Sequence, residues 1–344
     1  MKKIILLLCL ILMVSGCDKK DEDNKIVELQ YDDEYYTVYT PFKEGVSNNY
    51  VISNSINSYD LEEIERTLML LSNEYFKPNN SFYQQGQYLK EKTLRTLLDK
   101  EHFNKFDKIK IDNVTINPTY VTAIYEQNFL SSNGLLKGIS LGLVINPYQK
   151  YINSYGSYLY KKVDDKVLLE VATKKAKELV KYMRATYDVK DVKIMVGIYF
   201  QSHPNDIMPG KYRYYGITRD TDITLEKTNY EYQILDSTYV STNHGSDYEQ
   251  FINLKKELNN ILNNLYITGY GTYNNNSLTE AIVTINSMSL NRSKILYVSQ
   301  VLSEKLANTF SNVNVKIYIK TNEEIKAMIF RRQNSLGSNV YIFD

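Results

Sequence analysis

The sequence predicts an α+β protein of two domains, each built on a strand–long helix–strand unit, behind a signal peptide and a flexible tether. Three observations carry this. The 344 residues are too many for one small domain and suit two, at roughly 100–200 residues per domain. A helix–strand–helix–strand pattern occurs twice along the chain. The first 17 residues have the form of an export signal that ends on a cysteine.

Lys2 and Lys3 form a positive start, and the run from Ile4 to Ser15 is apolar. A spanning helix needs about 20 apolar residues, so this run reads as a signal peptide. Val14-Ser15-Gly16-Cys17 has the pattern of a bacterial lipobox. The expectation is that diacylglycerol alkylates the Cys17 thiol and that processing enzymes then cut between Gly16 and Cys17. Two acyl chains at about 0.8 kcal/mol per buried methylene suffice for stable anchoring. Residues 18–34 are acidic and polar, with few large apolar groups, and read as a tether. The organisation expected is thus a signal peptide over 1–16, a lipidated N-terminus and tether over 17–34, and domains over 35–225 and 226–344.

In the body, Asp60 and Glu63 have capping-box spacing, and Leu61, Ile64, Leu68, Leu71 and Tyr75 share one helix face. Pro78 and two Asn residues stop that helix. A weaker helix is expected over 90–102. Asn117-Pro118 reads as the start of another, running to Phe129. An apolar strand, Gly138 to Asn146, follows. Next come a long helix over 165–187, with Leu168, Ala172, Ala176, Leu179, Met183 and Tyr187 on one face, and a strand over 191–201. The second copy starts with Ser246 and Glu249 capping a helix whose face is Phe251, Leu254, Leu258, Ile261 and Leu265. It continues with a strand over 279–287, a helix carrying Ile295, Val298, Leu302, Leu306 and Phe310, and a strand over 313–320. The recurrence reads as a duplication, and each pair of apolar strands should be neighbours in one sheet under its helix. Asn334-Ser335-Leu336-Gly337 reads as a turn between final strands. The polar stretch 219–246 is the expected link between domains.

Lys+Arg of 41 against Asp+Glu of 40 leaves no electrostatic footprint for nucleic acid. The 32 Tyr and absent Trp fit either a tyrosine-lined groove or an AT-rich coding sequence, the second being the simpler account. Both cysteines, Cys9 and Cys17, precede the body, so it can hold no disulfide, zinc–thiolate site or thiol nucleophile. His102, His203 and His244 lack metal-ligand spacing. Asp164-Asp165 reads as helix-start stabilisation. Glu62-Glu63-Glu65 reads as a solvated helix face, and His203-Pro204-Asn205-Asp206 as a loop with no placed partner. No catalytic motif, metal site or cofactor site is apparent.

An ordered set of segments is similar to a known family. Thr40-Pro41-Phe42-Lys43-Glu44 is followed by the helix from Leu61 to Phe76 and by Phe82-Tyr83-Gln84-Gln85-Gly86-Gln87-Tyr88-Leu89. Pro118-Thr119-Tyr120-Val121 then leads into Glu126-Gln127-Asn128-Phe129. Lys137-Gly138-Ile139-Ser140-Leu141-Gly142-Leu143 comes next, and Gly197-Ile198-Tyr199-Phe200-Gln201-Ser202 runs on to Met208-Pro209-Gly210. The set resembles the CamS sex pheromone lipoprotein family of Firmicutes over nearly the whole chain, more weakly after about residue 220. The resemblance implies that the released signal peptide is the source of a short hydrophobic pheromone, sensed by donor cells carrying a conjugative plasmid. Here that peptide would lie within Leu10-Ile11-Leu12-Met13-Val14-Ser15-Gly16, a stretch that reads equally as a signal peptide degraded after cleavage. The mature protein is then a non-catalytic lipoprotein on the outer face of the cell membrane. The alternative expectation is a solute-binding lipoprotein of a transporter, which needs a polar cleft between two lobes.

Overall fold

A computed structural model describes residues 35–54, 60–206, 208–288, 290–322, 324–335 and 337–343. The signal peptide, Cys17 and the tether lie outside these residues.

Two six-stranded sheets organise the body. The first has the order β1 (Phe82–Gln85), β4 (Val121–Leu130), β5 (Leu136–Ile145), β8 (Lys193–Phe200), β9 (Lys211–Thr218), β10 (Glu226–Lys227). The second has β11 (Tyr230–Ile234), β12 (Tyr266–Asn274), β13 (Ser277–Asn286), β14 (Asn314–Thr321), β15 (Glu324–Arg331), β16 (Asn339–Ile342). In each, the central pair is parallel and every other pair antiparallel. The predicted strand–helix–strand units are these centres. β5 and β8 flank α4 (Asp165–Thr186), and β13 and β14 flank α7 (Arg292–Lys305). One amphipathic helix between two apolar strands buries its face over that same pair, which makes the pair parallel.

The first sheet is covered on both faces. On one, Leu168, Ala172, Ala176, Leu179 and Met183 of α4 pack on Ile139, Leu141, Leu143, Val196 and Ile198, together with α3 (Glu91–Leu98). On the other, Ile64 and Leu68 of α2 (Asp60–Ser72) pack against Tyr125, Val144, Met195, Tyr199 and Tyr212. α1 (Val46–Asn54) also packs on β4. A helix can sit this close because Gly142 and Gly197, paired across β5 and β8, floor its seat. A Cβ on Gly197 would lie 2.7 Å from the Tyr212 ring and 3.1 Å from Leu68. Strands covered on both faces tend to read as apolar runs, and β5 does; β4 is as buried but carries Glu126, Gln127 and Asn128.

The second sheet is covered on one face. α7 and α6 (Gly245–Ile261) bury Leu254, Leu258, Val298 and Leu302 against Val283, Ile285, Ile317 and Ile319. Its other face carries Glu280, Ile282, Thr284, Lys316 and Tyr318, all half-buried, and looks toward α2. Two hairpins complete the strands: β2 (Ile109–Ile111) with β3 (Val114–Ile116), and β6 (Tyr148–Ile152) with β7 (Tyr158–Lys162).

Several expectations need correction. Residues 118–129 are not a helix; from Val121 they form β4. Val121, Ile124, Tyr125 and Phe129 favour extended backbone, and pairing with both β1 and β5 overrides a start signal that served only to launch the chain from Pro118. The helix expected over 90–102 stops at Leu98. α6 ends at Ile261 and Leu265 leads into β12, an unforeseen strand; α7 ends at Lys305, with Leu306 and Phe310 buried beyond it. Within the stretch 219–246 the chain passes from the first sheet, which β10 ends, to the second, which β11 opens, with α5 (Thr238–Asn243) after it.

Candidate functional site

α2 is amphipathic twice over. Ile64 and Leu68 face the first sheet, while Glu62, Arg66, Met69 and Leu70 face the open side of the second. Between them lies a cavity of about 410 Å³, lined also by Tyr35 and Gln333. A smaller cavity of about 270 Å³ shares Glu62, Arg66 and Ile282 and reaches Tyr232 and Tyr270.

Two ion pairs line this cleft. Arg66 binds Glu63 at 2.8 Å, and its guanidinium lies 5.8 Å from the centre of the Tyr232 ring. Lys316 binds Glu280 at 2.6 Å. Burial works against both cations, but the carboxylates more than offset it, so Arg66 and Lys316 are held above their ordinary pKa ranges. Burial, then Glu63, pushes the Tyr232 phenol up, so it stays a neutral donor. Tyr232 and Tyr270 stack with centroids 5.4 Å apart and planes 6° apart. The Thr272 hydroxyl, on a residue only 3% exposed, lines the larger cavity and has no hydrogen-bond partner. An orphaned buried hydroxyl beside a polar cavity can bond a polar guest.

The residues singled out in the sequence lie elsewhere. Asp164 caps α4 by accepting from Lys166 N at 2.8 Å, and Asp165 pairs with Lys162 and Arg213. His102 pairs with Asp99, and His244 stacks on Tyr273 at 4.0 Å. His203 packs edge-on against Tyr148 and Tyr160. The acidic run of α2 is not one solvated face: Glu63 is buried and bonds Arg66 and Thr67, while Glu65 accepts from Tyr83. Among the described residues no cluster of three His, Cys, Asp or Glu could hold a metal ion, and no helix is long and apolar enough to cross a membrane.

The profile of the CamS sex pheromone cAM373 precursor family matches residues 42–336. The chain belongs to that family. The sex pheromone precursor of Lactobacillus salivarius subsp. salivarius UCC118 superposes with a TM-score of 0.80 at 23% identity, over 91% of this chain and 97% of that one. The C-terminal domain of the staph-cAM373 precursor of Staphylococcus aureus gives 0.73 at 22% identity, over 85% and 98%. These likenesses establish the fold. No curated protein matches the chain. A pheromone precursor family is a family of secreted or surface proteins, and it is not a known enzyme family.

The segments that resemble the CamS family meet at two buried carboxylates. Glu126 on β4 accepts backbone N–H bonds from Gln87, Tyr88 and Leu89, at 2.7–3.2 Å. Its own N–H bonds Ser47, and Gln87 reaches back to the carbonyls of Lys43 and Glu44. The Thr40, Phe82 and Glu126 segments are therefore one knot. The second carboxylate, Asp60, accepts from Gly210 N at 2.6 Å and the Tyr199 hydroxyl at 2.8 Å, joining α2 to the Gly197 and Met208 segments. Burial pushes Asp60 up to about 6 against those hydrogen bonds, and it pushes Glu126 up likewise. These motif residues build the scaffold that holds α2. The cleft residues Arg66, Glu280, Lys316 and Thr272 went unrecognised in the sequence; the alternation of Glu280, Ile282 and Thr284 with buried neighbours was the one signal of an open face.

Proposed function

We propose that the chain is a lipid-anchored surface lipoprotein, held through diacylglyceryl-Cys17, and the precursor of a short hydrophobic peptide drawn from Leu10-Ile11-Leu12-Met13-Val14-Ser15-Gly16. Lipoprotein-processing enzymes release the signal peptide, conjugative-plasmid donor cells read the fragment, and the mature body is non-catalytic. The observation that carries this is a lipobox ending on Cys17 in a chain that belongs to a pheromone precursor family. Mass spectrometry of culture supernatant tests it by detecting peptides that end near Gly16. Wild-type mature protein bearing an unmodified Cys17 would overturn the anchor, and a supernatant free of such peptides would overturn the precursor role.

A second reading, solute binding by the mature body, is favoured by the cavity of about 410 Å³ and its orphaned Thr272 hydroxyl. Protein purified from its own cells and analysed by native mass spectrometry should carry a small-molecule adduct that Arg66→Ala loses. An adduct-free spectrum for the wild type removes this reading.

A further inference from the structure

The β6–β7 hairpin stands out from the body, every residue of β7 being exposed. Five of the fifteen residues 148–162 are tyrosines, against 32 of 344 in the chain, so coding bias alone, which would place one or two there, does not account for them. The pairing sorts its side chains by face. One face carries Gln149, Tyr151, Leu159 and Lys161, and it holds the body: Gln149 bonds the Thr119 backbone and Tyr151 donates to Asp112 at 2.7 Å. The other carries Tyr148, Lys150, Ile152, Tyr158, Tyr160 and Lys162 in alternation; Tyr148 and Tyr160 pack against His203 at its base, and Lys150, Ile152 and Tyr158 beyond them are exposed. Ile152 is 47% exposed, Tyr158 64%, and Tyr155 at the tip 89%. The tip is built: the Asn153 side chain accepts from the N–H groups of Tyr155 and Ser157, and Gly156 takes φ +78°.

From this face we propose that the hairpin docks the mature body on an anionic phospholipid surface. Tyrosine rings settle at the boundary between headgroups and acyl chains, because one end is apolar and the other hydrogen-bonds water. Lysines beside them are drawn to anionic headgroups. The hairpin holds Lys150, Lys161 and Lys162 and no carboxylate; Asp165, just after it, pairs with Lys162 and with Arg213. Lys150 lies 4.0 Å from the centre of the Tyr158 ring, so cation and ring present together. On the lipoprotein reading, residues 17–34 keep the body within about 60 Å of the bilayer, and a tethered surface needs little affinity of its own to dock.

The test uses residues 17–344 with Cys17→Ser, which keeps every described contact and carries no lipid, so it succeeds or fails whether or not Cys17 is lipidated in cells. The protein should co-sediment with phosphatidylglycerol vesicles and not with phosphatidylcholine vesicles. Lys150→Glu, on the outward face beside Tyr158, should weaken binding by at least about fivefold, the loss expected for one lysine. Tyr155→Ser with Tyr158→Ser should weaken it at unchanged charge. The chain has no Trp, so Tyr155→Trp supplies a single tryptophan, excited selectively over the tyrosines, whose emission shifts to the blue on contact with the vesicles. Absence of binding to the anionic vesicles overturns the proposal, as does full binding by the tyrosine variant. Binding to soluble polyphosphate that is as tight as to vesicles and indifferent to the tyrosines also overturns it, marking a polyanion site instead.

Discussion

The two sheets share strand order and strand sense, yet one is covered on both faces and the other on one. The difference is local. Where the first sheet pairs Gly142 with Gly197 and seats α2, the open face of the second pairs Ile282 with Lys316 and Thr284 with Tyr318. Side chains of that size leave no seat for a second helix. The cleft follows from this: α2, fully used on one side, presents Glu62 and Arg66 to a sheet face it does not fill. Repetition of a topology thus need not repeat its burial.

The largest test of the comparison concerns two buried arginines that do the same work from different elements. Arg331, on β15, donates to the carbonyls of Leu306, Thr309, Phe310 and Val313 at the end of α7. In the first half Arg184, from the last turn of α4 itself, binds the carbonyls of Val189, Thr218 and Asp220. Arg331→Ala should cost about 3–5 kcal/mol in urea unfolding, because it strands buried acceptors at a helix C-terminus. Arg184→Ala should cost less, since its site is nearer solvent. A smaller loss for Arg331 would break the parallel.

Next come the two central helices. Leu179 of α4 and Leu302 of α7 are both fully buried over a parallel strand pair. Either truncation to Ala should cost about 2–5 kcal/mol. Values that differ by more than that spread would show that the halves do not share one packing scheme.

A pH profile separates the halves without touching packing. Burial raises Asp60 to about 6 from an ordinary value of 3.8, so the folded chain keeps a proton that the unfolded chain has released. Its contribution is therefore complete below about pH 4, is lost as pH rises from about 4 to 6, and is level above. The loss is about 3 kcal/mol at most. Asp60→Asn should flatten this part of the thermal-midpoint profile; an unchanged slope would assign the titration elsewhere.

How far the sequence revealed this fold follows the same contrast. Period and length expose α4 and α7, each with one clean apolar face; β5 and β8 show as short apolar runs, and β13 and β14 by alternation. β4 differs because Glu126-Gln127-Asn128 break its apolar run, and Asn117-Pro118 imitates a helix start. β12 hid behind Gly269 and Gly271, which weaken a strand signal while admitting Phe251 and Leu235. The cleft was illegible for another reason. Arg66 and Lys316 are distant in sequence, and only the placing of α2 against the second sheet brings them to one cavity. The proposed lipobox, Val14 to Cys17, is by contrast a local pattern of four residues that depends on no fold.

The smallest expected effect bears most directly on why one face is open. Gly197→Ala puts a Cβ against Tyr212 and Leu68 beneath α2, and neither can move freely because the Tyr212 hydroxyl donates to the Ile64 carbonyl at 3.0 Å. That overpacking should cost about 1–3 kcal/mol. Thr284→Ala, on the face of the second sheet turned toward the cleft, removes a half-buried hydroxyl and methyl and forces nothing aside. It should change stability by no more than about 0.5 kcal/mol. Chemical denaturation of both variants decides the matter. Near-equal losses would mean that the open face is packed as tightly as the seat of α2, and the cleft would then be filled in solution.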